Sequence, residues 1–350
     1  MKNRALRMEM RRGTNVRIRK RRDAKRKKKA AVILALGASL CMGSYVYMRQ
    51  IRAAEETKIY KTEDVMVGVS EIYGEGVFSE SEDLHDTGNR KDILKGINSP
   101  NAILLDVQRG QVLAEKDAAE RIYPASMTKI MTAVLALERI ENLDEYVVLS
   151  NEDFQNLYEQ EASMAGFQPG EEVTYRDLLY GIILPSGAEC CLAVANRIAG
   201  SEEAFAELMN EKAQTLGMKH THFTNCTGLE GVEHVSTVED IAVLLKYAIQ
   251  NQQFYEIFTS GFYSVAPTNL HPEGFTFYST VTENLDSMQV NGGILLGGKT
   301  GYTEDAGLCL ASMAQIYEKE YILVTAGADG KPGYRAAHLM DAVSVYDRIG

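Results

Sequence analysis

Hydrophobic and polar positions change rhythm three times along this chain. Residues 30–48, AAVILALGASLCMGSYVYM, are uniformly apolar and carry no charge. Their 19 positions approach the roughly 20 that a helix needs to cross a bilayer. Residues 49–97 are polar, acidic and interrupted by glycine, and they read as a linker. From Asn98 a regular periodicity sets in. The apolar run Asn101–Val107, the break at Arg109-Gly110 and the run Gln111–Ala114 predict a β-hairpin. Ser126–Leu143 predicts a helix with Met127, Met131 and Leu135 on one core-facing stripe. Thr174 is expected to cap a helix over Tyr175–Leu184 that stops at Pro185. Glu189–Ala199 reads as another helix, ending at Gly200. Ser201 is expected to cap the next, which ends near Gly217. Ser236 and Glu239 have the spacing of a capping box that opens a helix through Gln250. Beyond residue 260 the texture becomes strand-like in Gly293–Tyr302, Leu308–Ile316 and Tyr321–Ala328. The last two should pair across residues 317–320, and Gly333–Ile349 is helical again. A hairpin, a block of helices, three strands and a closing helix make an α+β arrangement. One sheet built from both ends of the chain fits that order.

Composition alters this picture little, because 45% hydrophobic and 24% charged residues are ordinary for a globular core. Charge changes it more. Residues 1–29 carry 15 Lys/Arg against Glu9 and Asp23, a charge of +13; with −11 overall, the remainder carries −24. An acidic body argues against nucleic-acid binding. The dense basic block directly before the apolar segment places residues 1–29 in the cytoplasm by the positive-inside rule, and the body outside. Tyr45 and Tyr47 then fall near the outer interface. Residues 30–48 read either as an uncleaved transmembrane signal anchor or as a secretory signal cleaved near Ile51-Arg52-Ala53. The first makes a single-pass membrane protein with an extracellular domain, the second a secreted one. Of five cysteines, Cys41 lies in the apolar segment. Cys190, Cys191, Cys226 and Cys309 show no disulfide framework and read as buried small residues.

Candidate chemistry concentrates at three short motifs. Ser126-Met-Thr-Lys129 puts a hydroxyl and an amine three residues apart, on one face of a helix. A serine hydroxyl is a weak nucleophile until a base takes its proton, and a desolvated lysine can be that base. Roughly one such S-x-x-K pattern arises by chance in a chain this long. Ser186-Gly-Ala188 sits in a turn between two predicted helices, and Lys299-Thr300-Gly301 on a late strand. A K-T-G triplet occurs by chance in roughly one such chain in ten. All three in this order are far rarer. His220-x-His222 has no third ligand at a recognisable spacing, and the sequence calls for no metal or cofactor.

Taken together, the three motifs resemble those of the penicillin-recognising serine proteins, most closely the low-molecular-mass D-alanyl-D-alanine carboxypeptidases of the peptidase S11 family. The likeness extends to Tyr-Pro-Ala-Ser126-Met-Thr-Lys129, to Asp177 through Ser186, to Asn225-x-x-Gly228-Leu229 and to Gly298 through Thr303. It covers about residues 98–350. It implies a β-lactamase/DD-peptidase-like fold: an antiparallel sheet flanked by helices, with an inserted all-helical subdomain. It also implies an acyl-enzyme on Ser126, with Lys129 as general base and Ser186 relaying a proton to the leaving D-alanine. Lys299 and Thr300 then hold the substrate carboxylate, and Gly301 admits the ligand. The backbone N–H groups of Ser126 and Tyr302 form the oxyanion hole. The implied partners are a peptidoglycan stem peptide ending in D-Ala-D-Ala and β-lactams. The chain ends soon after the closing helix, so the β-rich C-terminal domain and amphipathic anchor of many relatives are not expected. The N-terminal span is expected to tether the protein instead. One departure stands out: the asparagine of the family's S-x-N motif is Ala188 here, which removes roughly 1–3 kcal/mol of positioning hydrogen bonds. It keeps open a weakly catalytic wall-binding or β-lactam-sensing protein on the same fold. A DD-endopeptidase or β-lactamase is the remaining alternative.

Overall fold

The computed structural model describes residues 92–350. The basic tail, the apolar segment and nearly all of the linker lie outside the described residues. Among the described residues no helix is long and apolar enough to cross a membrane.

A six-stranded antiparallel sheet organises the described chain, in the order β2-β1-β10-β9-β8-β7. β1 (Asn101–Asp106) and β2 (Gln111–Lys116) form the expected hairpin. β8 (Gly293–Thr303), β9 (Gly307–Ile316) and β10 (Lys319–Ala328) form the late meander, with β7 (Gln289–Val290) at its edge. β1 lies against β10, with Ile103 opposite Val324 and Leu105 opposite Ile322. The two ends of the domain therefore meet in mid-sheet, as the order of elements predicts. The two-residue side-chain period then sorts each strand between two cores. Ile103, Leu105, Cys309, Ala311, Met313, Ile322 and Val324 enter the larger core beneath the helical block. Ala102, Leu104, Leu310, Ala314 and Leu323 enter a second core on the other face. There they meet Leu339, Ala342, Val345 and Tyr346 of α7 (Ala337–Asp347).

The helical block holds α1 (Lys129–Arg139), α2 (Tyr175–Ile183), α3 (Ala188–Ala199), α4 (Glu202–Thr215), α5 (Val238–Ala248) and α6 (Gln252–Phe258). Several stop and start signals act as predicted. Thr174 accepts the Asp177 N–H at the head of α2, Gly200 ends α3 with φ at 85°, and Ser201 accepts the Ala204 N–H at the head of α4. Three expectations need correction. Residues 125–128 form a 3-10 turn rather than the first turn of a long helix, and α1 ends at Arg139, where Ile140 becomes extended. The cap of α5 is Thr237, not Ser236. Ser236 pairs its backbone with Ile122 in an isolated bridge, so it is extended and the helix starts one residue later. The β9–β10 turn is shorter than residues 317–320, because Lys319 and Glu320 already pair with Ile316 and Gln315. Helix α6, capped by Asn251, and the hairpins β3–β4 (Tyr146–Val148, Glu172–Thr174) and β5–β6 (Phe262–Val265, Phe275–Tyr278) were not expected. Their strands hold only three or four residues, too short for an alternating pattern to register. The four cysteines of the described region are buried and free, as expected.

A single carboxylate fastens the start of the domain to its last helix. Asp341 of α7 is buried, and it accepts the Asn98 N–H and Nδ2–H at 2.8 Å on Oδ1. Its Oδ2 accepts the Ser99 N–H at 2.8 Å and the Ser99 hydroxyl at 2.7 Å. Removing it strands the two buried donors of Ser99 and frees the two exposed donors of Asn98. Asp341→Ala should therefore lower unfolding free energy by about 3 kcal/mol, read as a shifted denaturant midpoint at constant slope. A shift below a tenth of that would show the contact to be dispensable.

Candidate active site

The 3-10 turn is held in place by close backbone packing. Ala125, just before the serine, has φ at 45°, a left-handed conformation that alanine seldom adopts. A Cβ on Gly228 would fall 2.0 Å from the Ala125 carbonyl oxygen, and one on Gly301 3.1 Å from the Ser126 nitrogen. The 224–231 loop and strand β8 therefore close on the turn from two sides, and only glycine permits the first approach. Asn225 builds that loop. Its Oδ1 accepts the Thr227 and Gly228 N–H groups, and its Nδ2 donates to Leu229 O.

Lys129 opens α1, almost wholly buried, with Nζ 3.0 Å from Ser126 Oγ and 2.6 Å from Thr227 O. The expected hydroxyl–amine pair therefore meets directly. Lys299 lies on β8 with no exposed surface, and its Nζ donates to Thr300 O at 2.9 Å. Burial, and then the neighbouring Lys129 charge, hold the Lys299 ammonium well below the ordinary lysine range. Among the described residues neither lysine has a carboxylate within ion-pair distance.

Ser126, Ser186, Thr300, Gly301 and Tyr302 line one cleft of about 230 Å³. Five of the seven expected site residues thus share its surface. Lys129 and Lys299 lie beneath it. Lys299 shows no surface to the cleft, while Thr300 lines it. Ser186 sits in the α2–α3 turn with φ at 68°, and its buried Oγ has no partner among the described residues. Sequence reading missed Thr280, whose Oγ1 lies 2.7 Å from Thr300 Oγ1, and Ser163, Asn284 and His338, which also line the cleft. No short motif marks them, because Ser163, the segment 280–284 and His338 arrive from separate parts of the chain.

A second missed group supports the turn from behind. His234 Nδ1 accepts the Thr224 N–H at 3.0 Å, so Nε2 carries the proton and donates to Thr128 Oγ1 at 2.7 Å. Thr128 lies between the two reacting residues. Burial, with lesser effects from His222 and Lys129, pushes the His234 imidazole down to about 4.

Fold and site together place the protein among the DD-peptidases with an S-x-x-K serine. The family model of peptidase S11, D-alanyl-D-alanine carboxypeptidase, matches residues 86–330, and the chain belongs to that family. Over 232 residues it is 36% identical to D-alanyl-D-alanine carboxypeptidase DacF of Bacillus subtilis, a match covering 65% of this chain and 57% of the relative. It is 33% identical to DacC of Escherichia coli over 235 residues, covering 65% of this chain and 56% of that one. The chain thus spans somewhat more than half the length of these curated relatives. Among solved structures it resembles the Streptomyces K15 DD-transpeptidase at 27% identity and a TM-score of 0.64, over 72% of this chain and 97% of that one. A D-alanyl-D-alanine carboxypeptidase of Mycobacterium tuberculosis matches at 27% identity and a TM-score of 0.61, over 71% and 90%.

The buried, neutral His234 sets a pH dependence. Its folded-state value lies below 6.5, so the folded state binds fewer protons. The associated stability is complete above pH 6.5 and is lost as pH falls towards 4. By pH 5 the loss from this group should be about 2 kcal/mol. His338, also pushed down to about 4 by burial, acts in the same sense, while the raised carboxyl of Asp240 opposes it. Unfolding midpoints of the parent and of His234→Asn at pH 7 and pH 5 isolate the term. The variant should lose less between the two, and an equal loss would assign the effect elsewhere.

Proposed function

We propose that this protein is a serine D-Ala-D-Ala carboxypeptidase that trims peptidoglycan stem peptides at the outer face of the cell membrane. The observation that carries the reading is the 3.0 Å contact between Lys129 Nζ and Ser126 Oγ beneath a cleft shared with Ser186 and Thr300.

The chemistry follows from these positions. The terminal carboxylate of the substrate accepts from the Thr300 hydroxyl, with Thr280 beside it and the buried Lys299 amine below, whose charged form an incoming carboxylate favours. Ser126 Oγ attacks the carbonyl carbon of the penultimate D-alanine while the Lys129 amine takes the hydroxyl proton. The backbone N–H groups of Ser126 and Tyr302 bind the oxyanion. Ser186 relays to the leaving nitrogen the proton that Lys129 took, the C–N bond breaks, and D-alanine departs, leaving Lys129 as a free amine and Ser186 with its hydroxyl intact. Water then attacks the ester while Lys129 takes its proton; Lys129 returns that proton to Ser126 Oγ as the ester bond breaks, and the shortened peptide leaves. A β-lactam acylates Ser126 in the same way, but its leaving nitrogen stays tethered to the acyl group. Residues 30–48 supply the membrane anchor, with residues 1–29 in the cytoplasm; the charge asymmetry of the sequence supports this orientation.

A second reading, a β-lactam-sensing protein that acylates but turns over weakly, draws on Ala188. Two assays on the full chain decide. A fluorescent penicillin should label the parent and leave Ser126→Ala unlabelled. Lys129→Ala should slow labelling roughly a thousandfold. The parent should release one D-alanine from each pentapeptide consumed. Labelling without release would favour the sensor, and absence of labelling would overturn both readings.

A further inference from the structure

Position 188 carries a methyl group where the family pattern has an amide, and the structure shows what surrounds it. Three contacts join the α2–α3 turn to residues 163–166. The Ala188 N–H donates to Ser163 O at 2.8 Å. Glu189 Oε1 accepts the Ala165 N–H at 2.7 Å and the Gly166 N–H at 2.9 Å. A Cβ on Gly187 would fall 2.7 Å from Ala165 Cβ, so the two segments touch. The second motif and residues 163–166 therefore form one unit.

Glu189 is an unusual member of it. It has no exposed surface, and its Oε2 lacks any partner among the described residues. A carboxylate in the first turn of α3 gains from the helix dipole, but an exposed one would do so without the cost of burial. The hydrogen bonds that Oε1 accepts go to a segment 23 and 24 residues away in sequence. That segment forms one wall of the catalytic cleft through Ser163, which lines it together with Ser186 and Thr300. The Ser163 side chain has no hydrogen-bond partner among the described residues. A hydroxyl there can donate to a peptide carbonyl or accept from a peptide N–H.

We propose that Glu189 is a positioning residue: it clamps residues 163–166 to the second motif and so holds the Ser163 hydroxyl in the cleft, where it contacts the bound peptide in place of a side-chain amide at position 188. The inference rests on the carboxypeptidase reading for its substrate, and on geometry alone for the clamp.

Four full-length variants test it: Ser163→Ala, Glu189→Ala, Glu189→Gln and the Glu189→Ala/Ser163→Ala pair. Ser163→Ala should raise KM for D-alanine release about tenfold, with kcat and the unfolding midpoint little changed. Glu189→Ala should raise KM to a similar degree and expose the Ala165 and Gly166 amides to hydrogen exchange. Glu189→Gln keeps an acceptor oxygen and should restore both. The pair should be no worse than Glu189→Ala, because both changes remove one contact. Multiplied effects in the pair, or fast exchange with unchanged KM, would overturn the proposal. If Glu189→Ala fails to fold, Glu189→Gln and Ser163→Ala still decide through KM. If the parent releases no D-alanine, the carboxypeptidase reading fails, and amide exchange at 165 and 166 alone judges the clamp.

Discussion

Two buried lysine side chains without a carboxylate partner among the described residues are the constraint around which this structure is arranged. Burying a lysine head group is costly unless polar groups replace the lost water. Here backbone carbonyls do so: Thr227 O for Lys129 and Thr300 O for Lys299. Each lysine must therefore lie against backbone that is itself fixed. The 224–231 loop fixes the first through Asn225, and the antiparallel ladder of β8 and β9 fixes the second. A carboxylate beside either lysine would stabilise the folded protein by keeping the ammonium paired. Beside Lys129 it would also hold the amine in its charged form and take away its use as a base.

The packing around the reactive turn obeys the same demand. Loop and strand approach Ala125 and Ser126 so closely that a methyl group on Gly228 would overlap a carbonyl oxygen. Such an approach fixes the backbone that carries the serine. His234 completes the back wall with a neutral ring, bonded on one side to backbone and on the other to Thr128. A protonated ring at that site would place positive charge close to Lys129. Burial prevents it at neutral pH.

Parts of this were legible in advance because they depend on near neighbours in the sequence. The β1–β2 hairpin, the caps at Thr174 and Ser201, the stop at Gly200 and the three late strands all follow from residues a few positions apart. The meeting of Ser126 and Lys129 belongs here too, since three residues along one helical turn bring their side chains together. The misplaced cap at Ser236 shows the limit. Its spacing to Glu239 was right for a cap, but a backbone bridge to Ile122, far away in the chain, overrode it.

The sequence by itself determined which groups can react and the order in which the fold delivers them: Ser126 with Lys129, then Ser186, then Thr300 on a strand. Only the tertiary structure decided where those groups stand relative to one another and to solvent. It put Lys299 beneath the cleft rather than in it, and brought Thr280 to the Thr300 hydroxyl. It also turned Glu189 away from solvent to hold residues 165 and 166. The physical reason is that burial and desolvation are properties of a packed neighbourhood. They depend on contacts between segments tens to hundreds of residues apart, and no spacing along the chain encodes them locally.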